Sequence, residues 1–253
     1  MQKKQILGTY ITPITYDRTC ALINHWQSNN ESLYICAANV HMVMEAHDSP
    51  TYQQVINEAD LVTSDGMPLV WMLRLLGYPH QERVYGPTLT EKLLQKASEE
   101  SIPIGFFGST PEVLRILVTN VKKEYPKVDI VYAYSPPFKR ISDEEDLEIT
   151  KRINLSGARI LFIGLGCPKQ EYWMHAHRGK VQAVMLGVGA AFDFLARTKP
   201  QAPLWIQKIG LEWLFRLLTE PKRLWKRYFI NNPRFIFLAL KQLLTISKKE
   251  PEN

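Results

Sequence analysis

Three stretches of this 253-residue chain put reactive side chains at places a fold could use. The first is DLVTSDGMP (60–68), where a run rich in β-branched residues ends on Asp65 and Gly66. A carboxylate at a strand end can take the proton from a substrate hydroxyl as it attacks an activated carbon. The same residue could instead cap a helix opening near Met67. The second is GLGCPKQ (164–170). Gly164 and Gly166 make a turn whose backbone N–H groups, with the positive end of a following helix, suit a diphosphate; the alternative is a plain strand-to-helix turn. Lys169 stands where a dinucleotide fingerprint needs its third Gly or Ala, so dinucleotide binding is the weaker use of this turn. The third is LEWLFRLLTEPKRLWKRY (211–228), which carries Arg216, Arg223 and Arg227. Seven and eleven residues approach whole helical turns, so one continuous helix would hold the three within about 40°. Pro221 is better suited to opening a second helix after a break at Glu220, which keeps Arg223 with Arg227 at i, i+4 and leaves Arg216 less tied to them. Guanidinium groups gathered this way grip a pyrophosphate through paired hydrogen bonds.

Metal chemistry finds little support in the residue pattern. His175 and His177 are two apart, which on a helix turns them to different sides, and no Glu completes an HExxH motif. SDEED (142–146) reads as a capped, acid-rich first helical turn that needs no cation. No Asp-x-Asp follows a strand.

The elements that must position these residues alternate. Strand-like runs fall at 32–40, 60–66, 102–108, 128–135, 158–166 and 181–189. Amphipathic stretches lie between them at 42–58, 67–77, 88–100, 110–125, 142–156 and 168–178. In the fourth, Thr110 caps, Pro111 opens the helix, and Val113, Leu114, Leu117 and Val121 form the apolar stripe. The alternation predicts an α/β, Rossmann-like, mostly parallel sheet flanked by helices, with a C-terminal helical appendage. In such sheets ligands collect at the carboxyl ends of strands, which points to Asn39, Asp65, Gly108, Gly164, Gly166 and Gly187. The two prolines of ARTKPQAPLW (196–205) predict a boundary between a catalytic body, 1–196, and the appendage, 197–253.

Charge separates the same two parts. Residues 1–200 hold 21 basic and 21 acidic side chains, whereas 201–253 hold 10 and 4, so the net +6 lies wholly in the appendage. Trp213, Trp225, Tyr228 and Phe229 are residue types that settle at a lipid–water interface, and Lys222 and Lys226 would meet anionic headgroups. The bland alternative is a helical pair packed on the body with solvated charges. A nucleic-acid binder would spread basic charge over its domain, which the neutral body argues against. No uncharged apolar run approaches the roughly 18 residues of a membrane span. MQKKQILGTYITPITYD lacks the long apolar core of a signal peptide. Cys20, Cys36 and Cys167 are too few and too scattered for a disulfide framework. A cytoplasmic protein is expected. Apolar helix faces in 67–77 and the appendage leave a homo-oligomer open.

Four ordered blocks then converge on one family. NEADLVTSDGMPLVWMLRLLGYPHQERVYGPTL (57–89), LFIGLGCPKQEYWM (161–174), GVGAAFDFLARTKPQAPLW (187–205) and LEWLFRLLTEPKRLWKRY (211–228) resemble the WecG/TagA/CpsF glycosyltransferases, family 26 of that enzyme class. The resemblance runs from about residue 35 to 235. It implies inverting, metal-independent transfer, without a cofactor, from a UDP-sugar to the sugar of a polyprenyl-diphosphate acceptor. The setting it implies is the inner face of a bacterial membrane, in the synthesis of teichoic acid, common antigen, capsule or exopolysaccharide. By motif, Asp65 is the base, and Arg83 of ERVYG and Gln170 of GCPKQE hold substrate. The appendage, with Arg216, Arg223 and Arg227, docks on an anionic membrane and completes the site. Teichoic-acid members carry a Thr two residues before the Asn of the first motif; here Ala37 precedes Asn39, so donor identity does not transfer from that branch. The competing readings are a nucleotide-binding Rossmann oxidoreductase and a non-catalytic membrane-binding module.

Overall fold

The computed structural model describes residues 2–137, 139 and 141–247. The chain opens with an antiparallel hairpin, β1 (Lys4–Ile6) and β2 (Thr9–Ile11), turned at Leu7 and Gly8 with φ of 48° and 88°. Next comes α1 (Tyr16–Ser28), capped by the Thr15 side chain. The alternation that follows is β3 (Leu33–Ala38), α2 (Val40–Asp48), α3 (Pro50–Asn57), β4 (Leu61–Ser64), α4 (Met67–Leu75), α5 (Gly86–Glu100), β5 (Ile104–Gly108) and α6 (Pro111–Glu124). It continues with β6 (Ile130–Tyr134), α7 (Asp143–Ser156), β7 (Ile160–Gly164), α8 (Lys169–His177), β8 (Val184–Gly187) and α9 (Ala191–Leu195). Three helices close the described chain: α10 (Leu204–Lys208), α11 (Glu212–Thr219) and α12 (Pro221–Ser247). The last six residues of the predicted appendage, 248–253, lie outside the described residues.

All six predicted strands pair, in parallel, into one sheet of order β4-β3-β8-β7-β5-β6. Period-two alternation divides the core. Tyr34 and Cys36 enter one buried cluster and Ile35 the other, as Phe107 and Phe106 do on β5. The fold is therefore the expected α/β sheet with apolar residues on both faces. Two local differences have simple causes. The stretch 42–58 is two helices, because Pro50 sits at the first turn of α3 and Ser49 accepts from Tyr52 N at 3.3 Å. The hairpin and α1 precede the predicted alternation and carry no site residue from the motifs.

The expected break at Glu220 is present, with α11 ending at Thr219 and α12 beginning on Pro221. Pro233 lies inside α12 without ending it. Residues 196–203 have no regular structure, as their prolines suggest. The helices beyond are nonetheless fastened to the body. Phe235 and Ala239 share a buried cluster with Met42, Leu69 and Leu73. Arg234 forms a fork with Asp48 at 2.7 and 2.9 Å. Gln242 accepts from Leu7 N at 2.9 Å and donates to Gln5 O at 2.8 Å.

Candidate active site

Asp65 is the first residue beyond β4. Its backbone N–H and that of Gly66 both donate to Ala38 O on the neighbouring β3, at 2.8 and 3.1 Å, which pins the strand end. Gly66 packs closely here, since a Cβ would stand 3.2 Å from the backbone and side chain of Asn39. Asp65 does not cap α4: the cap is Gly66 and no side chain bonds to it. Instead Asp65 Oδ1 accepts from Gly86 N at 2.6 Å, and among the described residues Oδ2 has no hydrogen-bond partner. Burial pushes the Asp65 carboxyl up to about 6; Glu212 adds to the rise, while Arg83, the Gly86 N–H and Arg216 oppose it. A free carboxylate oxygen with that affinity for protons is suited to general-base work near neutral pH. A Cβ at Gly86 would stand 3.4 Å from Asp65 Oδ1 and 3.6 Å from the Ala37 Cβ, so the position where this chain departs from the teichoic-acid pattern falls beside the base.

Arg83 has two of its three guanidinium nitrogens engaged by protein. Its Nε donates to the Asp65 carbonyl, its Nη2 donates to Glu212 Oε2 at 2.6 Å, and the guanidinium lies 4.0 Å from the centre of the Tyr85 ring. Tyr85 OH donates to the other Glu212 oxygen at 2.9 Å. Arg83 thus ties the end of β4 to α11 from the pocket wall, and its Nη1 makes no hydrogen bond among the described residues. Glu212 escaped the sequence reading. The available signal was that only Glu212 and Glu220 are acidic in 201–247.

Arg216 from α11 and Arg227 from α12 line the same pocket. Among the described residues neither forms an ion pair, and both Nε atoms are buried without a hydrogen-bond partner. Arg227 Nη2 donates to Asn39 Oδ1 at 3.3 Å, and burial pulls the Arg227 guanidinium below its ordinary range. Two guanidinium groups with buried, unbonded Nε atoms and no ion-pair partner among the described residues favour an incoming anion. Arg223 differs from the expectation that pairs it with Arg227. One helical turn before Arg227 on α12, it pairs with Glu220 at 2.7 Å, is half exposed and takes no part in the pocket lining.

Asn39 caps α2 by accepting from Met42 N at 3.3 Å, so its oxygen serves both the helix and Arg227. His41, two residues on, sits 3.3 Å from the Asn231 amide. Burial and the adjacent Arg227 depress its imidazole to about 3, which keeps it neutral. The pocket joining these groups has a volume of about 600 Å³. Its polar lining comprises Asn39, His41, Asp65, Arg83, Glu212, Arg216, Arg227, Asn231 and Asn232, and most of the remainder is apolar, between α4 and the two appendage helices.

The other predicted residues stand elsewhere along the strand ends. Gln170 is buried, accepts from Gly166 N at 3.2 Å and donates to Glu171 Oε1 at 2.6 Å, so its amide braces the β7–α8 turn. Gly108 has φ +124°, and a Cβ there would stand 2.6 Å from the Gly164 carbonyl carbon. A Cβ at Gly187 would meet Met174 and Gln170 at 2.8 and 2.9 Å. Gly108, Gly164 and Gly187 end β5, β7 and β8, with Gly166 just beyond β7, where β5 and β7 send their chains in opposite directions. None of the four, nor Gln170, borders the Asp65 pocket. Among the described residues no three His, Cys, Asp or Glu side chains gather as metal ligands. No described helix is long and apolar enough to cross a membrane.

The family model described as "Glycosyl transferase WecG/TagA/CpsF family" matches residues 4–249, from the hairpin through α12. The chain belongs to this family. As a WecG/TagA/CpsF glycosyl transferase it has similar curated relatives of one description. A Bacillus spizizenii protein named N-acetylglucosaminyldiphosphoundecaprenol N-acetyl-beta-D-mannosaminyltransferase is 32% identical over 213 residues, 84% of this chain and 80% of the relative. A Staphylococcus aureus protein of the same name, from strain NCTC 8325, is 30% identical over 223 residues, 88% of this chain and 85% of the relative. For WecG/TagA/CpsF members, then, the matched unit includes the appendage that supplies Glu212, Arg216 and Arg227.

Proposed function

We propose that this protein is an inverting glycosyltransferase that moves a sugar from a UDP-sugar to the sugar of a polyprenyl-diphosphate acceptor, in the building of a bacterial cell-surface polymer. The observation that carries the reading is Asp65. It presents one unbonded oxygen in a pocket whose same end holds two unpaired guanidinium groups. Asp65 removes the proton of the acceptor hydroxyl as that oxygen attacks the anomeric carbon from the face opposite the leaving UDP. A single displacement inverts the centre.

The acceptor diphosphate is held by Arg216 and Arg227, with Asn39 orienting Arg227 and neutral His41 beside it. Arg83 supports this end indirectly, by fixing Glu212 and the β4 turn. The donor diphosphate lies toward the glycine-lined strand ends, where backbone N–H groups face an anion without a cofactor. The protein works peripherally at the inner membrane face, its appendage helices turned to anionic lipid; Trp213, Trp225 and Phe229 are 36%, 49% and 69% exposed. The printed names of the two relatives favour an N-acetylglucosamine diphosphate lipid as acceptor and N-acetylmannosamine as the transferred sugar. Membership in a glycosyl transferase family weighs against the oxidoreductase and the non-catalytic anchor.

The test is to incubate the full chain with UDP-N-acetylmannosamine and a prenyl-diphosphate N-acetylglucosamine and follow UDP release and the disaccharide lipid. Donors with glucose, N-acetylglucosamine or N-acetylmannosaminuronic acid are run alongside. UDP release dependent on the acceptor supports the reading. Intact sugar nucleotide with every donor overturns it.

A further inference from the structure

The apolar part of the Asp65 pocket has no explanation in folding. Trp71 and Leu75 lie at i, i+4 on α4 and are 45% and 68% exposed; Ile236 and Leu240 lie at i, i+4 on α12 and are 58% and 56% exposed. Both pairs line one wall or the other of the same pocket that contains Asp65. The two helices begin beside the polar end, α4 directly after Asp65–Gly66 and α12 a turn and a half before Arg227. From there the lining passes outward to Leu75 on one side and Leu243 on the other. The sixteen residues from Arg227 to Leu243 span about 24 Å of helix. Close to its far end, Gln242 holds α12 on β1, so the wall is fixed in place.

One occupant fits a groove with two unpaired guanidinium groups at its inner end and exposed hydrocarbon along the rest. It is an amphiphile with an anionic head and an extended apolar chain. A water-soluble sugar nucleotide would leave this hydrocarbon wet, and large contiguous apolar patches are uncommon on proteins that do not use them. We propose that the trough between α4 and α12 binds the isoprenoid chain of the acceptor, starting from the diphosphate held by Arg216 and Arg227. The inference rests on the acceptor reading above and adds that the enzyme itself, and α4 of the body in particular, grips the lipid next to its phosphates.

The experiment compares two acceptors in solution without vesicles: N-acetylglucosamine diphosphate esterified to a fifteen-carbon prenol, and the same head group as its methyl ester. Each methylene-sized group buried favours binding about fourfold, so the prenyl acceptor should exceed the methyl acceptor in kcat/KM by at least about tenfold. In Leu75→Gln and Leu240→Gln, whose exposure makes them dispensable for folding, that ratio should fall to within about twofold of unity, since a polar amide cancels most of such a transfer gain. Effects on the shared head group cancel in the ratio. Leu155→Gln, on the remote and 87% exposed edge of α7, should keep the wild-type ratio. A ratio near one in the wild type overturns the groove while leaving the glycosyltransferase reading intact. So does a ratio that both groove variants preserve, or one that arises only when phosphatidylglycerol vesicles are added, which would assign the surface to the bilayer. No transfer to either acceptor overturns the reading of function itself, and the groove with it.

Discussion

Arg83 and Glu212, 129 positions apart, meet at 2.6 Å with only 15% and 10% of their side chains exposed. One belongs to the loop that follows α4, the other to the first turn of α11. Because Arg83 also holds the Asp65 carbonyl, this pair couples the placement of the appendage to the residue assigned as base. Breaking such a pair leaves a buried charge, which typically costs about 3–5 kcal/mol. Arg83→Met should therefore lower the unfolding free energy by a large fraction, seen as a clear drop in melting temperature. Arg83→Met combined with Glu212→Gln should recover part of it.

The same pair modulates the pH dependence. Asp65 must be ionised to act, so kcat/KM should rise with pH through its value of about 6. Burial is the main cause of that elevation, and Glu212 adds to it while Arg83 and Arg216 oppose it. Tyr16, whose hydroxyl accepts from Tyr85 N, and Tyr85 itself also face this corner, and burial raises both phenols above their ordinary range, away from neutral pH. Removing the negative charge in Glu212→Gln lowers the Asp65 value, so the acid limb of the profile should move to lower pH. Steady-state profiles of the two proteins check this, and an unmoved limb would mean that Glu212 acts only as a structural tie.

Asp65→Asn should keep the fold and lose about 10²–10⁴-fold in turnover, the usual worth of a general base. The amide oxygen can still accept from Gly86 N. The linkage sign gives a second readout. A carboxyl whose folded value is raised from 3.8 to about 6 binds more protons folded than unfolded between those limits, so its contribution to stability falls as pH rises through that window. The Asn variant lacks this loss. Its melting temperature should equal or exceed that of the wild type above about pH 6, and near-normal turnover would sink the assignment.

The six strands, the helices between them and the break at Pro221 were legible, because β-branched runs, capping residues and prolines act locally. The hairpin was not read, since three-residue strands around Leu7–Gly8 leave almost no periodic signal. Asp65, Arg216 and Arg227 were found as chemistry and do share a pocket. What the residues could not show was which arginine faces inward. That choice depends on where Glu220 sits and on how far along α12 the pocket reaches, and both are tertiary facts. Arg83 illustrates the same limit: its motif marks the position, but only the fold reveals that Glu212 occupies its guanidinium. The appendage is likewise less separable than its composition implies, for Phe235 and Ala239 complete a cluster with Met42 and Leu69. Truncation after residue 196 should thus lower the melting temperature as well as abolish transfer and vesicle binding, which flotation, calorimetry and an activity assay would show together.

The arginines offer the sharpest contrast within one helix pair. Arg216 and Arg227 have buried, unbonded Nε atoms, whereas Arg223 already has Glu220. A charge-assisted hydrogen bond to an anion is worth about 1.5–3 kcal/mol, so Arg216→Met and Arg227→Met should each raise KM for the prenyl-diphosphate acceptor by roughly 10–150-fold. Arg223→Ala should change it by less than about threefold, as expected for an exposed ion pair. Without ligand the order reverses: removing a desolvated, uncompensated cation should leave Arg227→Met at least as stable as the wild type. Inorganic pyrophosphate should raise the melting temperature of the wild type and of Arg223→Ala and have little effect on Arg216→Met or Arg227→Met. If pyrophosphate stabilises all four proteins equally, the anion is held elsewhere and the assignment of these two guanidinium groups is wrong.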